Sequence, residues 1–242
     1  VIDAYDGTTT FYLMDTPSVD PLAQTYANIY PGLFTPFSQM PAELKAHIRY
    51  PETLLRIQSR VYQNYHVSDP VTFYNNQDLW QVPSDPRPTE ALTRQTAGTI
   101  EPYYLVTRLP GEQQNEFVLI NIFQPQNRLN LVSWMAARMD GANYGKLVVY
   151  NFDPSINIDG PAQFYAKVQA MPDFSRQQSL LNTGSSNLLP GPIIIIPVDN
   201  AVLYEMPYYL QGSTTALPQL QFVAVEADNR VFVAQPTAND DR

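Results

Sequence analysis

The chain has 242 residues, 14 Lys plus Arg against 23 Asp plus Glu, and a formal net charge of −9 with both histidines neutral. That balance excludes nucleic-acid binding by bulk charge, and the absence of cysteine excludes disulfides, thiolate metal sites and cysteine nucleophiles. Charged residues make up only 15%, against roughly 25% in an average soluble domain, while 44% are apolar and 12% aromatic, enough to bury a sizeable core.

The chain opens on Val1 with a strand-like run and no leader, which leads us to expect a soluble domain excised from a larger protein. Residues 1–5 and 8–14 flank Asp6-Gly7, a dipeptide that tolerates positive φ, and predict a hairpin. Asp20-Pro21 supplies an N-cap and a first-turn proline to a short helix carrying Leu22, Tyr26 and Ile29, stopped by Pro31-Gly32. Pro41 and Glu43 start a second helix with Leu44 and Ile48. Pro51 breaks it, and Leu54, Ile57, Val61, Tyr62 and Tyr65 continue one face to His66. Asp69-Pro70 begins another short helix through Phe73 and Tyr74. Residues 85–99 read as a loop within one domain rather than a boundary, because the part before it is too thin to stand alone.

Strand patterns dominate the remainder: 103–109 with 116–123, 131–138 with 146–151, 193–198 with 201–209 across Asp199-Asn200, and 219–226 with 230–234 across Asp228-Asn229. Helical spacing of Phe164, Val168 and Met171 places a helix over 161–171, extended weakly over 173–181. Successive hairpins imply a mostly antiparallel sheet. The expected fold class is therefore α+β, a largely antiparallel sheet with short helices packed on it, in a single domain over 1–242. No repeat of fixed period is visible, and the longest apolar stretch falls far short of the roughly 20 residues that span a bilayer.

Residues with chemical potential are sparse. His47 and His66 lie in the densest helical stretch near Arg49, and these three are the candidate binding residues. No nucleophile elbow accompanies them, so no catalytic residue is assigned. Asp153, Ser155, Asn157 and Asp159 alternate with Ile156 and Ile158 as a calcium loop would, but Ile158 stands where such a loop needs glycine, so no metal site is assigned. Phosphate-cradling motifs are missing too, and no cofactor is expected. Sixteen tyrosines, paired at Tyr103-Tyr104 and Tyr208-Tyr209, suit sugar or protein recognition, although in a strand one of each pair belongs to the core.

The strings AYDGTTTFY (4–12), PGLFTPFSQMPAELKAHIRYPETLLRIQ (31–58), YHVSDPVTFYNNQDLWQVP (65–83), EPYYLVTRLPGE (101–112), NLVSWMAARMDGANYGKLVVYNF (130–152) and IPVDNAVLYEMPYYLQ (196–211) together resemble uncharacterised protein family 0182, a family of bacterial multi-pass membrane proteins. The departures are local. Leu189-Pro190-Gly191-Pro192 replaces Arg-Gly-Asn-Leu, and Glu205-Met206-Pro207 replaces Val-Glu-Pro. The resemblance implies a soluble region tethered to the chain's own transmembrane helices, at the cell membrane, and it implies no activity. With only three lysines and no cysteine, the extracytoplasmic side is the expected location, partners being those helices and other envelope proteins or glycans. The leading functional expectation is a non-catalytic binding or scaffold module. The alternative is a hydrolase-like or transport-coupled domain, with a site through His47, Arg49 and His66 that the membrane part completes.

Overall fold

The computed structural model describes residues 1–14, 20–88, 98–198, 201–212 and 217–235, so the centre of the expected loop at 85–99 and the Asp199-Asn200 turn lie outside the described residues. The chain divides into two compact units, Val1–Arg49 and Tyr50–Arg242. No described helix is long and apolar enough to cross a membrane.

In the first unit the Asp6-Gly7 turn forms, with Gly7 at φ 76° and the Asp6 carboxylate accepting from the Thr8 N–H at 2.8 Å. The hairpin expected around it shrinks to a single antiparallel bridge between Ile2 and Thr9. Strand β1 (Phe11–Leu13) pairs instead in parallel with β2 (Phe34–Pro36), the rings of Phe11 and Phe34 meeting edge to face at 6.3 Å. Between them runs α1 (Pro21–Ile29), capped as its sequence dictates by Asp20, whose carboxylate takes the Leu22 N–H at 2.8 Å. Helix α2 (Ala42–Lys45) ends before Ile48, earlier than the spacing predicts, because the N–H of His47 closes onto the Leu44 carbonyl in a tighter turn.

The second unit opens with α3 (Glu52–Tyr65) and α4 (Pro70–Tyr74), then β3 (Trp80–Gln81), β4 (Tyr103–Arg108), β5 (Asn115–Pro125), β6 (Ser133–Arg138) and β7 (Leu147–Asn151). It continues with α5 (Pro161–Gln169), α6 (Pro172–Leu181), β8 (Ser186–Pro190), β9 (Ile194–Val198), β10 (Ala201–Gly212), β11 (Gln219–Ala227) and β12 (Arg230–Ala234). All its strand pairs are antiparallel, and the class is α+β. The strands form two five-stranded sheets rather than one.

The second unit repeats one order of elements twice. Each half runs helix, helix, short strand, then a four-strand meander, and the sheet orders match: β3-β5-β6-β7 with β4 beside β5, and β8-β10-β11-β12 with β9 beside β10. In each, two short strands share one edge of the long strand and leave a notch between them. Residues 121–123 of β5 pair with neither β3 nor β4, and Met206 and Pro207 of β10 pair with neither β8 nor β9.

The notches explain residues that sequence reasoning leaves odd. The Ile122 N–H donates to the Asn121 side-chain carbonyl at 3.1 Å, and the Asn121 amide donates to the Ser59 hydroxyl at 2.8 Å, so a buried polar pair replaces the missing strand. In β10 the same place holds Pro207, which has no N–H to satisfy, while its carbonyl accepts from Gly191 at 2.7 Å. Gly191 is needed there because a Cβ would stand 2.8 Å from the Pro207 ring.

Packing follows the duplication. Leu55 of α3, with Tyr62 and Trp80, covers Leu119, Phe123, Met135 and Ala137 on one face of the first sheet. A second core joins Phe164 and Val168 of α5 and Phe174 of α6 to both sheets: Val118, Ile120 and Trp134 from the first, and Tyr204, Tyr208 and Phe222 from the second. The first sheet is therefore covered on both faces, and every residue of β6 is buried. The second buries one face only, in alternation along residues 201–208 of β10 and 221–227 of β11. The Tyr103 hydroxyl ties the sheets together, donating to the Ile195 carbonyl at 2.5 Å and accepting from its N–H at 3.3 Å. Burial pushes that phenol well above its ordinary value, so it stays a neutral donor.

Candidate functional site

One end of the first sheet carries a cleft of about 810 Å³, built from three connections: residues 76–80 leading into β3, residues 125–132 joining β5 to β6, and residues 151–156 after β7. Each is pinned locally. Asn76 and Asp78 sit in left-handed backbone at φ 51° and 58°, a region that Asn and Asp enter more readily than other side chains. The β5–β6 connection is held by the Gln126 N–H on the Leu79 carbonyl at 2.9 Å and by the Leu131 N–H on the Ile158 carbonyl at 2.8 Å. Gly160 packs against it so closely that a Cβ would stand 1.8 Å from the Leu129 carbonyl oxygen.

The walls are rich in primary amides: Asn76, Gln77, Gln126, Asn127, Asn130 and Asn151. Apart from Asn130, which reaches the Leu131 carbonyl at 3.5 Å, their side chains make no hydrogen bond among the described residues. Every such amide offers two donors and an acceptor that can meet adjacent hydroxyls. Charges are few, Asp78 and Asp153 against Arg128, and Asp153 is turned back on its own loop. The Ser155 hydroxyl at 2.7 Å and N–H at 2.8 Å hold its carboxyl below its ordinary value. Apolar surface comes from Phe152, with Trp80 and Leu131 almost fully buried behind the wall.

Of the residues singled out from sequence, His66 lies beside this cleft. It caps α3, and its ring stacks on Trp80 at 3.7 Å and 21°. Nδ1 stands 3.1 Å from the Tyr62 carbonyl, which only accepts, so that nitrogen carries the proton. Nε2 is buried and points at the Asp78 carboxylate 3.6 Å away, while the other Asp78 oxygen takes the Trp80 indole N–H at 3.2 Å. His66 thus braces Trp80 and Asp78, both of which line the cleft. His47 and Arg49 belong to the first unit, just past α2, and both are exposed. The Asp153 to Asp159 segment does not converge: Asp153, Ser155 and Asn157 are exposed, whereas Asp159 pairs with Lys167. Among the described residues no group of three or more His, Cys, Asp or Glu side chains converges as metal ligands would.

Sequence reasoning missed the amide wall. Its signal was faint: two turns rich in Asn and Gln and a third that adds only Asn151 lie apart in sequence, and only the meander brings them to one sheet end.

Comparisons with known proteins agree on one lineage. The family model for uncharacterised protein family UPF0182 matches residues 1–181. A UPF0182 protein of Desulforamulus reducens is 42% identical over 236 residues, 98% of this chain and 24% of the relative. Those of Bradyrhizobium diazoefficiens and Thermosynechococcus vestitus are 44% and 42% identical over 97% and 99% of this chain, and 25% and 24% of the relatives. The chain thus spans about a quarter of the length of the curated relatives it matches. No solved structure matches. With three quarters of its residues under the family model and this level of identity along nearly its whole length, the chain belongs to the uncharacterised protein family UPF0182.

Proposed function

We propose that the chain is a non-catalytic binding module of a membrane-tethered protein, displayed on the extracytoplasmic side, and that its cleft takes a neutral, hydroxyl-rich ligand of the glycan class. One observation carries the reading: amide side chains, all but Asn130 without a hydrogen bond among the described residues, line a cleft of about 810 Å³ that holds little net charge and some aromatic surface. Bidentate amide–hydroxyl bonding with apolar contact against a ring face is the chemistry that sugars need. The shortage of lysine and the absence of cysteine support the location.

Trp80 makes the reading testable, since it is one of two tryptophans and the other, Trp134, lies in the core shared by the two sheets. Titration with maltotriose and, separately, chitotriose is expected to change tryptophan emission saturably for at least one of them. Asn127→Ala, at an exposed position that leaves the fold alone, is expected to weaken that response about fivefold or more. Absence of saturation with both sugars overturns the glycan reading. Alkaline phosphatase, active only outside the cytoplasm, and a cytoplasm-only fluorescent reporter, each fused after Arg242 in the membrane-borne protein, check the side; a silent phosphatase fusion beside a fluorescent one overturns the extracytoplasmic placement.

A further inference from the structure

A second pocket, which meets the cleft at Ile156, is more strongly acidic than it. It measures about 530 Å³ and lies where the segment before α5, the last turn of α5, the start of β10 and the β11–β12 turn meet. Three carboxylates line it, Asp159, Glu226 and Asp228, against the single cation Lys167.

Lys167 is committed. Its ammonium pairs with Asp159, with Glu226 Oε1 at 2.5 Å and with the Asn229 side-chain carbonyl. Those three contacts use its three N–H groups. Burial by itself lowers the affinity of this amine for its proton, but the bonds and charges of Asp159 and Glu226 outweigh it and leave the value above the ordinary one. The amine is therefore charged and is not a nucleophile. Asn229 is presented by a tight turn, with Asp228 and Asn229 both in left-handed backbone at φ 48° and 62°. Beneath them the Tyr204 hydroxyl donates to the Asp159 carbonyl at 2.6 Å and fixes the loop that brings Asp159 in.

What remains is an imbalance. The Glu226 side chain is 2% exposed, and its Oε2 has no hydrogen-bond donor among the described residues. After Lys167 is counted, two negative charges are left over in a pocket with low-dielectric walls. Leaving a buried carboxylate oxygen unpaired is costly, and the group that relieves it must carry N–H or O–H donors and positive charge. We propose that this pocket is a binding site for a primary ammonium group, with Glu226 Oε2 as its acceptor and Asp159 and Asp228 supplying the attractive field. An anion is repelled. A divalent cation is poorly served, because hard cations want six or more oxygens and the nearest carboxylates are already bound to Lys167. The volume accommodates an amine on a short aliphatic chain, with Ile156, Ile158 and Val202 as apolar lining. This site adjoins the amide cleft at Ile156 but shares none of its polar groups, and it stands or falls separately from it.

Cadaverine, which reproduces a lysine side chain with a second ammonium, is the probe, and calcium chloride forms a parallel arm. Calorimetry and thermal unfolding on the intact chain are expected to show saturable binding of cadaverine and a Tm that rises with its concentration. Glu226→Gln is expected to weaken binding about tenfold or more with an unchanged circular dichroism spectrum. Asp228→Asn, on the exposed turn, serves if that variant does not fold, and is expected to weaken binding about threefold. Equal affinity in wild type and variants, no saturation with cadaverine, or saturation with calcium alone overturns the proposal.

Discussion

Side-chain chemistry in this protein is dominated by charges that are already paired, and Glu101 shows what that costs. Arg56 on α3 reaches its carboxylate at 2.5 Å, yet burial raises the Glu101 carboxyl above its ordinary value despite that cation. A carboxyl raised in the folded state adds stability only while it is protonated, and that contribution is lost as pH rises through the folded-state value. Glu101→Gln is therefore expected to match wild type in thermal unfolding near about pH 4 and to exceed it by about 1 to 3 °C near about pH 7. Wild type more stable at neutral pH would show that the Arg56 pair outweighs the burial. His66 belongs to the same scale. Legible in the sequence as a titratable residue in a helical stretch, it gave no hint of stacking on Trp80, since that contact depends on β3 returning the chain across the end of α3.

At the scale of elements, the hairpins and helices were readable and the short pieces were not. Asp228-Asn229 announced its turn because both residues tolerate positive φ, and Asp20, Asp69 and the prolines beside them announced helix starts. β3, with two residues, and β8 carry too little pattern to stand out, and each exists because the long strand beside it offers an unfilled edge. The notch between β3 and β4 can be tested at Asn121. Asn121→Leu keeps the volume but leaves the Ile122 N–H and the Ser59 hydroxyl without their partner. Denaturant unfolding is expected to show a loss of about 1 to 3 kcal/mol. In hydrogen exchange the Ile122 amide should become the fastest in the centre of β5. Unchanged exchange at that amide would mean that some other group satisfies it.

Taken whole, the second unit is one arrangement used twice, and nothing in the residue pattern revealed it, because the halves share strand order rather than side chains. The first sheet needs helices on one side and the second half on the other, so neither half closes a core alone. Residues 50–152 and 153–235 produced separately are each expected to bind the dye ANS and to lose it when mixed, as the shared core re-forms. A folded, monomeric first half with no dye response would refute that dependence. The amide cleft was equally invisible at this scale in the linear sequence: its lining comes from three connections that only the completed meander gathers. Burial on both faces of one sheet and on one face of its counterpart also sets how each half tolerates change over generations. Substitutions along β10 and β11 should be accepted at every second residue, a ticking pattern, whereas β5 and β6 should refuse polar replacements almost without interruption, so that two copies of one topology accumulate sequence differences at unequal speeds.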